Sequence, residues 1–519
     1  MEEARLILGA ATSGFEVLLS WQVFGMMMVG TLVGMFVGLV PGLGGLIGLA
    51  LLVPFAVTME PISGLAFLLG MVTVTTQTDS IPAILLGVPG TSAAMATTLD
   101  GYPMAKRGEA GRALSASYFA SIFGTIVAAG LFMVMLPFLR QIVFAFGQPE
   151  FFMLILLGLL LTGTLAGGSA LRGGMMAGAG ILLAMVTIET STGLPRMAGE
   201  ILYLWDGIPL IPVVLGLYAI PEMIDLARRG STIAEGSPIK GFDGLRQGLA
   251  DTVGNAWLVV KASTLGAIAG FIPGLGGQVA EWMAYGAAVN SDPDPQSFGK
   301  GNVRGVIAPE AGTAAQKPGS LIPTVAFGIP GNAAMAILLS VLIVYGLVPG
   351  PEMIGEKLDV TFGMIWVMLA ANVIGAAIAL LLQRWLVRLC YIRASLMVPV
   401  ILGTMLVGAT MEHQSFGDVL VFLVMGLFGY LFKHADWPRV PLIMGLIMGG
   451  LAERYLFLSV NLHGWGALTD RPLVWVIGLV TFASVFMKPL YRRLRRGPRI
   501  RPGDDPEGRT PAQPIGEDA

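Results

Sequence analysis

Val40-Pro41-Gly42-Leu43-Gly44-Gly45 returns as Ile272-Pro273-Gly274-Leu275-Gly276-Gly277, 232 positions later, each copy lying in a stretch otherwise apolar enough for a membrane helix. A second pair follows in the same order. Ile81-Pro82 with Gly87-Val88-Pro89-Gly90-Thr91-Ser92-Ala93-Ala94-Met95-Ala96 returns as Ile322-Pro323 with Gly328-Ile329-Pro330-Gly331-Asn332-Ala333-Ala334-Met335-Ala336, 241 positions on. The two offsets differ by nine, and the insertion this requires falls on the polar stretch 291–304, where the first copy has only residues 58–61. The chain therefore reads as an internal duplication: a first membrane repeat at 1–226, a second at 227–490, and a tail at 491–519. The tail is rich in Arg, Pro, Asp and Gly and cannot bury an apolar face, so it is expected to be a disordered cytoplasmic segment.

Composition sets the solvent. Of 519 residues, 31 are basic and 33 acidic, so 12% are charged while 55% are hydrophobic. A soluble domain carries roughly 25% charged residues. Water cannot solvate a globule of this composition, but lipid can, so the expected fold class is an all-α polytopic membrane protein with about 11 to 14 crossings. A net charge of −2 offers no field for nucleic acid. One cysteine, Cys390, excludes an intrachain disulfide framework or a cysteine-based zinc site. His413, His434 and His463 match no zinc-hydrolase spacing. Glu2, Glu3 and Arg5 open the sequence in place of a basic segment with a cleavage site, so no removable signal peptide is expected.

Loop charges orient the repeats, because short loops rich in Lys and Arg stay cytoplasmic. Lys106, Arg107 and Arg112 follow the second Pro-Gly element of the first repeat, whereas Glu352, Glu356, Lys357 and Asp359 occupy the matching loop of the second. Before that element the bias reverses, with Glu60 in the first repeat and Lys300 and Arg304 in the second. Two inverted-topology repeats satisfy both. Arg228, Arg229, Lys240 and Arg246 of the central linker, and the cluster from Arg492 to Arg501, then lie on the cytoplasmic side.

Gly and Pro interrupt residues 40–99 and 271–339 every few positions, so neither region reads as unbroken helix. Broken backbone facing lipid costs several kcal/mol per unsatisfied group, roughly, and survives only against protein or a polar cavity. Discontinuous helices and re-entrant Pro-Gly hairpins are therefore expected, with half-helix N-termini offering N–H groups and a positive dipole end to an anion. The residues expected to hold substrate are Pro41, Gly42, Gly44, Gly45, Ser80, Gly90, Thr91 and Ser92 of the first repeat, and Pro273, Gly274, Gly276, Gly277, Gly331 and Asn332 of the second. Close helix packing is the competing explanation for any single glycine pair.

Polar residues flank these elements. Thr73, Thr75, Thr76, Gln77, Thr78, Asp79 and Ser80 form one run, and Glu310, Thr313, Gln316, Lys317 and Ser320 the related one. Intramembrane charges are costly and usually functional, which makes Thr78, Asp79, Glu310 and Thr313 the candidates for coupling an ion, sodium or a proton, with sodium at Thr78 and Asp79. Alternatively Asp79 caps a helix starting near Ile81, and Glu310 and Lys317, two turns apart, form a structural pair.

The blocks GLVPGLGG, LLGVPGTSAAMATTLDGYPMAKRGEAGRAL, GFIPGLGGQVAEWMAYG, FGKGNVRGVIAPEA and LIPTVAFGIPGNAAMAILL resemble the large membrane subunit of tripartite tricarboxylate transporters, the TctA family. The resemblance implies a bacterial inner-membrane permease that imports carboxylates on an ion gradient, fed by a periplasmic solute-binding protein and accompanied by a small membrane subunit. It implies no enzyme and no cofactor beyond the coupling ion. The chain departs from the family's usual Tyr-Gly-Gly-Ser at Gln77-Thr78-Asp79-Ser80, and from its usual Asn-Asn at Gly312-Thr313. An anion channel built from half-helices is the alternative reading. Ser415-Phe416-Gly417-Asp418 faintly resembles an intramembrane aspartyl protease signature but lacks its context.

Overall fold

The computed structural model describes residues 2–40, 44–88, 91–166, 170–189, 194–229, 244–389, 394–410, 414–464, 466 and 469–482. Helices account for about four-fifths of it. The sheet among the described residues is one two-stranded antiparallel ribbon, Thr187–Ile188 with Pro195–Arg196. Among the described residues, five helices are long and apolar enough to cross a membrane: Trp21–Leu39, Ala110–Ala145, Leu358–Leu382, Phe416–His434 and Val440–Leu462. Large apolar side chains such as Phe138, Leu171 and Leu381 point outward, Leu381 being 82% exposed. That is the surface hydrocarbon would solvate, and the chain is a multi-pass all-α membrane protein.

The duplication in sequence is a duplication in structure. Trp21–Leu39, Gly44–Ala56, Pro61–Thr78 with Ser80–Leu86, Met95–Lys106 and Ala110–Ala145 are answered in order by Ala256–Phe271, Gly276–Asn290, Arg304–Phe327, Ala333–Val344 and Leu358–Leu389. The connection at 57–60 corresponds to 291–303, nine residues longer, so the insertion lies where the offsets put it.

Packing between the repeats is reciprocal. Glu2–Leu19 and Pro61–Thr78 pack on Leu358–Leu389, while Leu245–Gly254 and Arg304–Phe327 pack on Ala110–Ala145. Within each repeat the same glycines make the same contact. A Cβ on Gly34 or Gly38 would overlap the backbone of Met71 or Thr75, and one on Gly266 or Gly270 would overlap Gly312 or Gln316, the equivalent partners. Here glycine serves close helix approach, the purpose it commonly has between membrane helices.

The helix Arg304–Phe327 corrects one expectation. It runs without interruption through Pro309, Pro318 and Pro323, and every residue from Gly305 to Ala326 is buried. Proline removes a backbone hydrogen bond, but an all-round protein shell spares the freed groups from lipid. Within 271–339 the breaks fall after Phe271, after Asn290 and after Phe327.

This helix crosses its counterpart. Ser80 donates to Glu310 at 2.6 Å, and Lys317 donates to the Thr73 carbonyl at 2.5 Å. Seven residues up one strand of contacts correspond to seven residues down the other, so the two equivalent helices run antiparallel.

Candidate substrate site

A cavity of about 690 Å³ lies where the Pro-Gly elements meet. Gly44, Gly45 and Thr91 line it from the first repeat, and Gly274, Gly276, Gly277, Thr313 and Asn332 from the second. Two helices, Gly44–Ala56 and Gly276–Asn290, begin at its wall. Their first residues have positive φ, +62° at Gly44 and +67° at Gly276, a conformation glycine adopts without penalty. Leu275 precedes the second helix and offers no side-chain cap, so the helix enters the cavity with first-turn N–H groups that have no partner within the helix. The Gly274 N–H is already engaged: it donates to the Gly331 carbonyl at 3.0 Å and ties the two Pro-Gly elements of that repeat together.

The second elements are built alike. The Thr91 hydroxyl accepts from the Ala93 N–H at 3.2 Å, and the Asn332 amide oxygen accepts from the Met335 N–H at 2.9 Å, so each residue starts its own helix. Asp79 sits between Pro61–Thr78 and Ser80–Leu86 with helical backbone, and its carboxylate makes no cap bond. One oxygen accepts from Thr91 at 2.5 Å; the other is buried and without a partner among the described residues.

Behind the cavity wall lies a network the sequence only half disclosed. Glu310 accepts from Ser80 and from Thr97 at 2.8 Å. Glu281 accepts from the Ala96 and Thr97 N–H groups at 2.7 and 3.2 Å, which sets its carboxylate on the N-terminus of Met95–Lys106. Glu281 and Thr97 were missed. The lone acidic residue of the apolar run Gly277 to Gly286 was the available signal.

Other expected residues fall elsewhere. Ser80 and Pro273 are not in the cavity lining. Thr78 donates to the Val74 carbonyl at 3.0 Å and packs on Gly38. Gly331 packs on the Gly270 carbonyl and Ser320. Pro41, Gly42 and Gly90, and the side chain of Ser92, lie outside the described residues. The Ser415-to-Asp418 signature is a helix start, with Ser415 and Asp418 forming a capping box for Phe416–His434.

Broken helices from two repeats, closing on one cavity inside a lipid-facing shell, define a membrane transport protein. The model of the tripartite tricarboxylate transporter TctA family matches residues 24–444, and the chain belongs to that family. It is 31% identical over 443 residues, 85% of this chain and 88% of the relative, to an uncharacterized 52.8 kDa protein in the TAR-I ttuC′ 3′ region of Agrobacterium vitis. A second protein of that organism, in the TAR-II ttuC′ 3′ region, is 29% identical over 191 residues, 37% of this chain and 79% of the relative. No solved structure gives a significant match.

Proposed function

We propose that the chain is the large permease subunit of a binding-protein-dependent secondary transporter, importing tricarboxylates or related organic acids across the bacterial inner membrane. The observation that carries this reading is that two helix N-termini, from equivalent places in the two repeats, open on the same cavity. Such ends favour a carboxylate, while buried carboxylates beside them favour a co-transported sodium ion or proton. The reading takes the repeats as inverted, with the Pro-Gly elements as re-entrant hairpins. The antiparallel crossing of Pro61–Thr78 and Arg304–Phe327 supports it, as do the reversed loop charges. Family membership supports a small membrane subunit and a periplasmic solute-binding protein as partners, and the basic loops support a cytoplasmic C-terminus.

Uptake by proteoliposomes containing both membrane subunits, with loaded binding protein outside, tests this. Saturable uptake that needs a sodium or proton gradient is expected. Conductance far above carrier turnover would identify an anion channel instead.

A further inference from the structure

We infer that the cavity is functionally one-sided: Thr313, Gln316 and Lys317 of the second repeat grip the substrate's carboxylate, and the equivalent face of the first repeat does not. The inference rests on the carboxylate reading above and names the residues that would execute it.

The three residues follow helical spacing, so they share one face of Arg304–Phe327, and all three line the cavity. They are 5%, 3% and 5% exposed. Two of their polar atoms, Thr313 Oγ1 and Gln316 Nε2, are buried and have no partner among the described residues. Lys317 donates to the Thr73 carbonyl, which occupies one of the three donors an ammonium carries. A carboxylate is the reverse of this set, since it only accepts and offers about four lone-pair sites.

The adjoining helix adds to the same side. A Cβ built on Gly277 would come 3.7 Å from the Thr313 methyl and 3.9 Å from Gln316 Oε1, so the start of Gly276–Asn290 lies against these residues. Its open N–H groups and dipole then act on the same ligand.

The counterpart face carries Val72, Thr75 and Thr76, 241 positions earlier. Val72 has no polar atom. The hydroxyl of Thr75 donates back to the Met71 carbonyl at 2.8 Å, and that of Thr76 to the Thr73 carbonyl at 3.5 Å. Both are spent on their own helix. The other cation on the wall, Arg439, is also engaged, donating to the Leu217 carbonyl at 3.0 Å and lying 3.8 Å from Glu222. Arg439 is held toward Leu217 and Glu222, whereas Lys317, among the described residues, keeps two free donors on the same helix face as the unpartnered Thr313 and Gln316 atoms.

The test uses the purified full-length protein and its thermal stabilisation by acetate, succinate and citrate. If none of the three stabilises the parent, the carboxylate reading fails, and this inference with it. Where one does, Lys317→Gln and Gln316→Glu should weaken its apparent affinity at least tenfold, and Thr75→Val and Thr76→Val should leave it within twofold. Gln316→Glu preserves side-chain volume and places a negative charge at the proposed grip, so it remains informative if Lys317→Gln does not fold. Equal losses on both faces, or unchanged affinity in Gln316→Glu, would overturn the one-sided site while leaving the transporter reading intact.

Discussion

Thr91 donates to Asp79 at 2.5 Å, and at the equivalent positions of the second repeat Asn332 donates to Ser320 at 3.2 Å. The same bond, from helix start to crossing helix, is made twice, once to a carboxylate and once to a hydroxyl. The scaffold is thus symmetric where its charge is not. The hydrogen bond needs only an acceptor at this point, so it does not account for the charge of Asp79. An intramembrane carboxylate with one buried oxygen unpartnered is expensive unless a cation or proton joins it.

Asp79→Asn separates these roles. The amide oxygen can still accept from Thr91, but the charge is gone. Uptake by Asp79→Asn is expected to lose its dependence on sodium or on the proton gradient, or to fall at least tenfold, with protein levels in the membrane unchanged. Normal rate with normal ion dependence would remove Asp79 from coupling and leave it a structural acceptor.

Gly44 and Gly276 test the helix starts. Neither is packed tightly: a Cβ on Gly44 would meet only the Thr91 methyl, at 3.8 Å, and one on Gly276 would meet nothing within 4 Å. Their restriction is the positive φ, which costs a non-glycine residue about 1–3 kcal/mol and a β-branched one the most. Gly44→Val and Gly276→Val should therefore insert yet lose uptake, with Ala variants intermediate. Full uptake in both Val variants would show that the ligand does not depend on these turns.

Topology can be read with cysteines in a background where Cys390 is replaced. Arg107 donates to the Lys300 carbonyl at 3.0 Å, so the basic loops of the two repeats lie side by side. Cysteines at Lys106 and Lys300 should behave identically, both shielded from an impermeant reagent added outside, while one at Glu352 should label. Opposite behaviour of the first two would contradict the fold; labelling of both from outside would invert the orientation.

The duplication, the site of its nine-residue insertion and the all-α membrane class were legible because each depends on local pattern: repeated glycines, repeated prolines, scarce charge. Continuity of Arg304–Phe327 was not, since proline propensity describes a helix in solvent and this one is encased. The position of Glu281 on the start of Met95–Lys106 was equally hidden, because that contact joins residues 185 apart in sequence. The offsets pair Asp79 with Ser320, but only the fold shows what each accepts from.

Asp100 fixes the connection 291–303 of the second repeat, and its loss should be felt in stability before transport. It is fully buried and accepts from the Gly301 and Asn302 N–H groups, each at 2.8 Å, and from the Tyr285 hydroxyl at 2.9 Å. Gly305 presses on its carboxylate with no room for a side chain. Asp100→Ala leaves these three donors without their acceptor, at about 1–3 kcal/mol for the buried Tyr285 hydroxyl and less for the half-buried Gly301 and Asn302 N–H groups. Asp100→Asn keeps one acceptor oxygen for the Gly301 and Asn302 N–H groups and turns its amide donor toward the Tyr285 hydroxyl, which can accept as well as donate, so it should cost less than Ala. Tyr285→Phe removes one bond to a charged acceptor and should cost about 1.5–3 kcal/mol. The melting temperatures in detergent should therefore fall furthest for Asp100→Ala, with Asp100→Asn and Tyr285→Phe between it and the parent. Proteolysis within 291–303 should accelerate in proportion, because that connection, absent from the shorter first copy at 57–60, is the segment the carboxylate holds. A parent-like melt and unchanged proteolysis in Asp100→Ala would mean that Arg107, through its bonds to the Lys300 and Gly301 carbonyls, secures the connection alone.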